Sequence, residues 1–123
     1  MKKFNFKLQK ILQLRKFREE ECKIALGQAI SILNEIENKI KETAFKRHNA
    51  ASMRFSNVEE TASWENYIVR LEQETQRLME QAAQAELVVE EKRALYLEAQ
   101  KDLNVLEKLK EKRQKEYRKE YIN

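Results

Sequence analysis

The chain of 123 residues has no proline, one glycine (Gly27), one cysteine (Cys22), one histidine (His48) and one aspartate (Asp102). Each shortage excludes a class of protein. Glycine-rich phosphate loops, nucleophile elbows and tight hairpins need glycines at backbone angles other residues avoid, which argues against a compact α/β enzyme. A disulfide framework needs partners that Cys22 does not have within the chain. Zinc sites need clustered Cys and His, and no metal or other cofactor is expected. No apolar run approaches the ~20 residues of a membrane span, and Met1-Lys2-Lys3-Phe4 does not open a signal-type apolar core. What remains is dominated by Glu, Lys, Ala, Leu, Arg and Gln, with 37% charged residues. These are strong helix formers without breakers, the composition of a long helix or coiled coil. The expectation is a soluble, all-helical, non-enzymatic protein of a reducing compartment.

Apolar residues recur at alternating spacings of three and four through most of the chain. One seam runs Leu8, Leu12, Arg15, Glu19, Cys22, Leu26, Ala29, Leu33, Ile36, Ile40, Thr43. A second runs Trp64, Ile68, Leu71, Thr75, Leu78, Ala82, Ala85, Val89, Lys92, Tyr96, Ala99, Leu103, Leu106. A seven-residue repeat held this long implies two helices supercoiled against a partner. Between the seams the same phase would bury Arg47, Ala50, Arg54, Asn57 and Thr61, none of them apolar and larger than Ala. That stretch also concentrates Asn49, Ser52, Ser56, Asn57, Thr61 and Ser63, which compete for backbone hydrogen bonds. Ser56-Asn57-Val58-Glu59 has the spacing of a capping box.

The expected fold is therefore all-α, two long helices in an antiparallel coiled-coil hairpin forming one domain over residues 1–123. Helix 1 is expected over about 3–48, the turn over about 49–57 and helix 2 over about 58–121. The heptad phase holds across the gap, so a continuous helix dimerised as a rod is the alternative. Folding about residue 54 pairs Ile40 with Ile68, Ile36 with Leu71, Leu33 with Thr75 and Leu12 with Tyr96. The densest core is expected at Leu33, Ile36, Ile40, Ile68 and Leu71. Helix 2 then overhangs at the termini end by about 15 residues, or roughly 22 Å at the α-helical rise.

The formal net charge of +4 conceals segregation. Residues 1–18 carry seven bases (Lys2, Lys3, Lys7, Lys10, Arg15, Lys16, Arg18) and no acids. Residues 108–119 carry seven more (Lys108, Lys110, Lys112, Arg113, Lys115, Arg118, Lys119) against Glu111 and Glu116. A hairpin gathers both segments at one end, where they would be steered toward an acidic surface. Bases near a helix C-terminus also complement its dipole, but those near the first N-terminus oppose it. Leu14, Phe17 and Ile24 fall on the side of helix 1 away from the seam, a pattern that marks a partner surface. Cys22 reads as a small seam residue, His48 as a surface residue at the turn, and Phe45, Trp64 and Tyr67 as a staple of the closed end.

The opening Phe4-Asn5-Phe6-Lys7-Leu8-Gln9-Lys10-Ile11-Leu12-Gln13-Leu14-Arg15 resembles the F-x-F-x-L-Q start of the FliJ family of flagellar type III export proteins. The stretch from Ala99-Gln100-Lys101-Asp102-Leu103 to Lys112-Arg113 resembles the same family's C-terminal part, and Trp64-Glu65-Asn66-Tyr67 is similar to its W-x-N-Y after the turn. The resemblance implies a non-enzymatic, cytoplasmic accessory of flagellum biogenesis and motility, peripheral to the inner membrane at the flagellar base. It further implies a stalk in the hexameric export ATPase, with contacts to the cytoplasmic domain of the export gate and to export chaperones. By position, Lys2, Lys3, Lys7, Lys10, Phe17, Lys110, Lys112, Arg113, Lys115 and Arg118 would face the ATPase. Phe45, His48, Tyr67 and Leu71 would face the gate. No nucleic acid is expected as a partner on this reading. The competing readings are a helical-hairpin nucleic-acid binder and a structural coiled coil that dimerises through its seam.

Overall fold

A computed structural model describes residues 3–121; Lys2 lies outside the described residues. Two helices carry almost all of it, α1 (Gln9–Ala51) and α2 (Val58–Tyr121), and no strand occurs among the described residues. The chain is an all-α antiparallel helical hairpin. It leaves the helix at residues 52–57, so the continuous helix does not occur. Contacts divide it into two compact units: a termini unit (Met1–Gly27 with Glu90–Asn123) and a turn unit (Gln28–Val89).

The seam forms in the expected phase in both units. Leu12, Ala29 and Thr43 are buried on α1; Leu71, Leu78, Ala82, Ala85, Val89, Ala99, Leu103 and Leu106 are buried on α2. Leu8, Arg15, Glu19, Cys22, Leu26, Leu33, Ile36 and Ile40 are half-buried on the same stripe. Two helices alone cannot enclose a side chain on every side, so much of the seam stays partly wet. Polar seam residues find backbone acceptors: Arg15 Nη1 donates to the Asp102 carbonyl at 2.8 Å, Thr43 Oγ1 to Lys39 at 2.9 Å and Thr75 Oγ1 to Leu71 at 2.8 Å.

The pairing register differs from the expected one. In the termini unit Leu12 packs with Leu103 and Leu106 rather than with Tyr96. In the turn unit Arg47 pairs with Glu72 at 2.7 Å, which sets Ile40 level with Leu78 rather than Ile68. The cause is the connection. Residues 52–57 do not turn tightly but run beside the first turns of α2, with the Phe55 and Trp64 rings 6.1 Å apart. Those turns of α2 therefore face the connection, and α1 meets α2 farther along.

Both helix ends at the connection are capped. Trp64 Nε1 donates to the Ala50 carbonyl at 2.6 Å, Met53 N–H donates to the same oxygen at 3.1 Å, and Ser52 Oγ donates to Asn49 at 2.9 Å. These bonds satisfy carbonyls that the last turn of a helix leaves without partners. They keep α1 helical through Ala51, and Ala50 is fully buried. At the start of α2 the cap is Asn57, one residue later than the expected Ser56. Glu60 N–H donates to Asn57 Oδ1 at 2.8 Å, and the Glu60 carboxylate accepts from Ser56 N–H at 3.4 Å. Asn serves as well as Ser at this position, and Glu60 rather than Glu59 stands three residues beyond it.

The start of α1 also departs from the expected residue 3. Phe4, Phe6 and Leu8 alternate with Asn5 and Lys7, and an extended segment puts such alternate residues on one face. As helix, Phe4 and Phe6 would point to opposite sides. As a strap they both reach α2: Phe4 lies 5.6 Å from the Tyr117 ring, and the Arg113 guanidinium sits 5.7 Å over Phe6. Phe6 is 4% exposed and forms, with Leu12, Leu103 and Leu106, the buried cluster that Phe4, Leu8 and Leu109 flank. The core is densest here, where a third segment covers the two helices, and not at the Leu33-to-Leu71 stretch. The overhang of α2 past the start of α1 is thus partly clothed by the strap.

Candidate functional site

In the termini unit the two basic segments become one surface. The strap contributes exposed Lys3 and Lys7, the first turn of α1 contributes exposed Lys10, and the tail of α2 contributes exposed Lys112, Arg113, Lys115 and Arg118. Their meeting is set by aromatic contacts: the rings of Phe4 and Phe6 seat the strap on Tyr117 and Arg113, and Tyr121 packs tilted against Tyr117 with ring centroids 4.9 Å apart. Lys110 occupies a seam position and is half-buried. Lys115 approaches Glu111 at 3.8 Å, an exposed pair worth little in water, and leaves the surface strongly positive. Phe17 does not join this surface. It stands on the outer face of α1 with Leu14 and Ile24, at 62% exposure against 67% and 53% for its neighbours.

The turn unit places its four expected contact residues differently. Phe45 is 66% exposed and His48 is exposed, whereas Tyr67 is half-buried. Leu71 is only 7% exposed because it lies on the seam, so it packs the core and offers no contact surface. Phe45 also does not staple the closed end. That task falls to Trp64 with Phe55, a residue the sequence pattern does not single out although it stands immediately before the Ser56-Asn57 cap. Phe55 lies with Met53, Trp64 and Tyr67 along a shallow groove bordered by Glu59 and Glu60. Farther along the unit the Arg77 guanidinium, bonded to the Glu74 carboxylate, holds that acid below its usual value of 4.5. Both groups are open to solvent.

The described residues hold no group of three or more His, Cys, Asp or Glu placed to bind a metal ion. Neither helix is long and apolar enough to cross a membrane. Cys22 is a half-buried thiol of the seam. What the geometry offers chemically is recognition: a basic, aromatic-backed surface in one unit and a mixed aromatic surface in the other.

The model of the flagellar FliJ protein family matches residues 4–122, nearly the whole chain, including the strap, both helices and the connection. The chain belongs to the FliJ family. It is accordingly a component of the flagellar protein export apparatus, in a family of non-catalytic export components. No curated protein and no solved structure matches the chain. Family membership covers the same span as the hairpin, so the strap residues Phe4, Phe6 and Leu8 fall inside the shared pattern rather than before it.

Proposed function

We propose that this FliJ-family chain acts without catalysis as a stalk in the hexameric export ATPase, and that it links the ATPase to the cytoplasmic domain of the export gate and to export chaperones. It would work in the cytoplasm at the flagellar base, peripheral to the inner membrane. The observation that carries this reading is the basic surface of the termini unit. Lys3, Lys7, Lys10, Lys112, Arg113, Lys115 and Arg118 come together on a strap and a helix tail that outruns α1. A ring with acidic groups around its pore would be drawn to such a tail, and a stalk that binds only the assembled ring favours its assembly by mass action. In the turn unit, exposed Phe45 and His48 with half-buried Tyr67 are the proposed gate contacts, and buried Leu71 only supports them.

The test is stimulation of the partner export ATPase by the full chain. Lys112, Lys115 and Arg118 are exposed and hold no core contact, so changing all three to Glu leaves the helical hairpin intact by circular dichroism. Stimulation by this variant is expected to vanish, and stimulation by the parent is expected to fall as salt rises, because the Debye length is only about 8 Å at physiological ionic strength. Deleting residues 110–123 would be a poorer test, since it also removes Arg113 and Tyr117, the seats of Phe6 and Phe4. A triple variant that stimulates as well as the parent removes the tail assignment. A parent chain that stimulates at no salt concentration removes the stalk reading.

A further inference from the structure

The connection and the first turns of α2 build a groove that the chain itself leaves open. Met53, Phe55, Trp64 and Tyr67 line it, with Glu59 and Glu60 at its edge. Glu60, Trp64 and Tyr67 recur at spacings of four and three, so they share one face of α2, and the connection lays Phe55 beside Trp64. The Phe55 and Trp64 rings are tilted 50° to each other, a corner rather than a stack. The indole N–H is already bonded to the Ala50 carbonyl, which fixes the ring and leaves its π face as the surface a ligand meets. Such faces are electron-rich, and the two exposed carboxylates beside them add full negative charge. Neither carboxylate takes part in any of the ion pairs among the described residues; one Glu60 oxygen accepts from Ser56 N–H at 3.4 Å. No lysine or arginine lines the groove, Arg54 included, although both its neighbours do. Arg70 stands roughly 15 Å along the helix from Glu60, beyond the Debye length of about 8 Å. First-turn acids also complement the dipole of α2, but the dipole calls for neither the aromatic surface nor the missing base.

We infer that this groove is a docking site for a partner's peptide segment that presents an arginine beside an apolar residue. The guanidinium lies against the aromatic corner within reach of Glu59 and Glu60, and the apolar neighbour covers exposed Met53. A planar guanidinium stacks on a ring and still offers its N–H fork to a carboxylate, which a compact, strongly hydrated lysine ammonium does less well. The fixed indole lowers the cost of binding, because a ring already held in place has little freedom left to lose. Anionic occupants fit poorly: a nucleic acid or an acidic lipid surface would bring phosphates against two unpaired glutamates. The site shares Tyr67 with the proposed gate contacts, but its lining requires neither the gate as the partner nor the stalk reading.

Trp64 is the only tryptophan of the chain, so its emission reads the groove in the full protein. The probes are three synthetic peptides of about seven residues, identical except for a central arginine, citrulline or glutamate beside a leucine. Citrulline keeps the shape of arginine and lacks its charge. The arginine peptide is expected to shift Trp64 emission saturably and to bind at least tenfold more tightly than the citrulline peptide, while the glutamate peptide leaves the emission in place. Glu59→Gln with Glu60→Gln should weaken the arginine peptide at least fivefold; glutamine still accepts from Ser56 N–H, so the start of α2 is kept. Phe55→Leu, which removes a ring and keeps an apolar side chain, should weaken it as well. Equal binding of the arginine and citrulline peptides, or arginine binding that survives either variant, overturns the inference. So does a concentration-dependent shift of Trp64 in the chain alone that Phe55→Leu abolishes, which assigns the groove to a second copy. A shift of Trp64 with phosphatidylglycerol vesicles assigns it to lipid and overturns the inference too. ATPase stimulation and gate binding enter none of these readouts, so failure of the stalk reading leaves this outcome separate.

Discussion

Leu12 and Ile36 both lie on the seam, yet their surroundings differ. Leu12 is enclosed by Phe6, Leu103 and Leu106, while Ile36 is half-buried and borders an open groove with Ile32, Ala85 and Val88. Truncating an enclosed leucine leaves a cavity that the surroundings cannot fill, and costs about 2–5 kcal/mol. Truncating a side chain already half in water gives up only part of its transfer energy, about 1 kcal/mol. Urea unfolding of Leu12→Ala and Ile36→Ala should therefore show the larger loss at Leu12; the reverse order would mean that the strap does not cover the cluster. The periodicity in the sequence marks both residues as seam and cannot rank them. Ranking needs the third segment, and heptad spacing carries no information about that.

At the scale of the element, the strap shows why part of the fold was legible and part was not. The three-four spacing located both helices because only a helix keeps a seven-residue apolar pattern on one face over many turns. The signal of the strap is a run of only three alternating apolar residues, Phe4, Phe6 and Leu8, and it abuts the seam at Leu8, so it reads as more helix. The same ambiguity blurred the connection. Its polar residues announced a break, but whether six residues turn tightly or run beside α2 depends on the Phe55 and Trp64 contact, which is not local in sequence. Two backbone bonds tie the strap to α1, from Gln9 N–H to Phe6 at 3.0 Å and from Leu12 N–H to Leu8 at 2.9 Å. With so few bonds its docking rests on the phenyl rings, and it opens locally once they are lost. Phe6→Ala should thus speed hydrogen exchange at the Gln9 and Leu12 amides while amides of the turn unit keep their parent rates. Unchanged exchange at Leu12 would show that the ring of Phe6 does not hold the strap.

For the molecule as a whole, the register decides between competing pairings that composition cannot separate. Any two helices with seven-residue seams can slide by a heptad and still bury apolar stripes, so the sequence pattern leaves several registers nearly equal in burial. Polar groups with a fixed partner break the tie. Arg15 and Arg18 both reach Asp102, the chain's single aspartate, in the termini unit, Arg47 reaches Glu72 in the turn unit, and the Trp64 indole bonds to Ala50 beside the connection. Each is a modest contribution, about 0.5–1.5 kcal/mol for a hydrogen bond, but a slipped register would forfeit all of them together. Cysteine pairs read the outcome directly. In a Cys22→Ser background, cysteines at Ile40 and Leu78 should form a disulfide within one chain, since the register sets these positions level on the seam, whereas cysteines at Ile40 and Ile68 should not. The products are separated by mass at 14.8 kDa for the single chain and twice that for a linked pair. Crosslinking of the Ile40 and Ile68 pair in its place would restore the tight turn about residue 54. Crosslinking only between chains would show that α1 and α2 of one molecule do not pair, and the seam would then belong to a dimer.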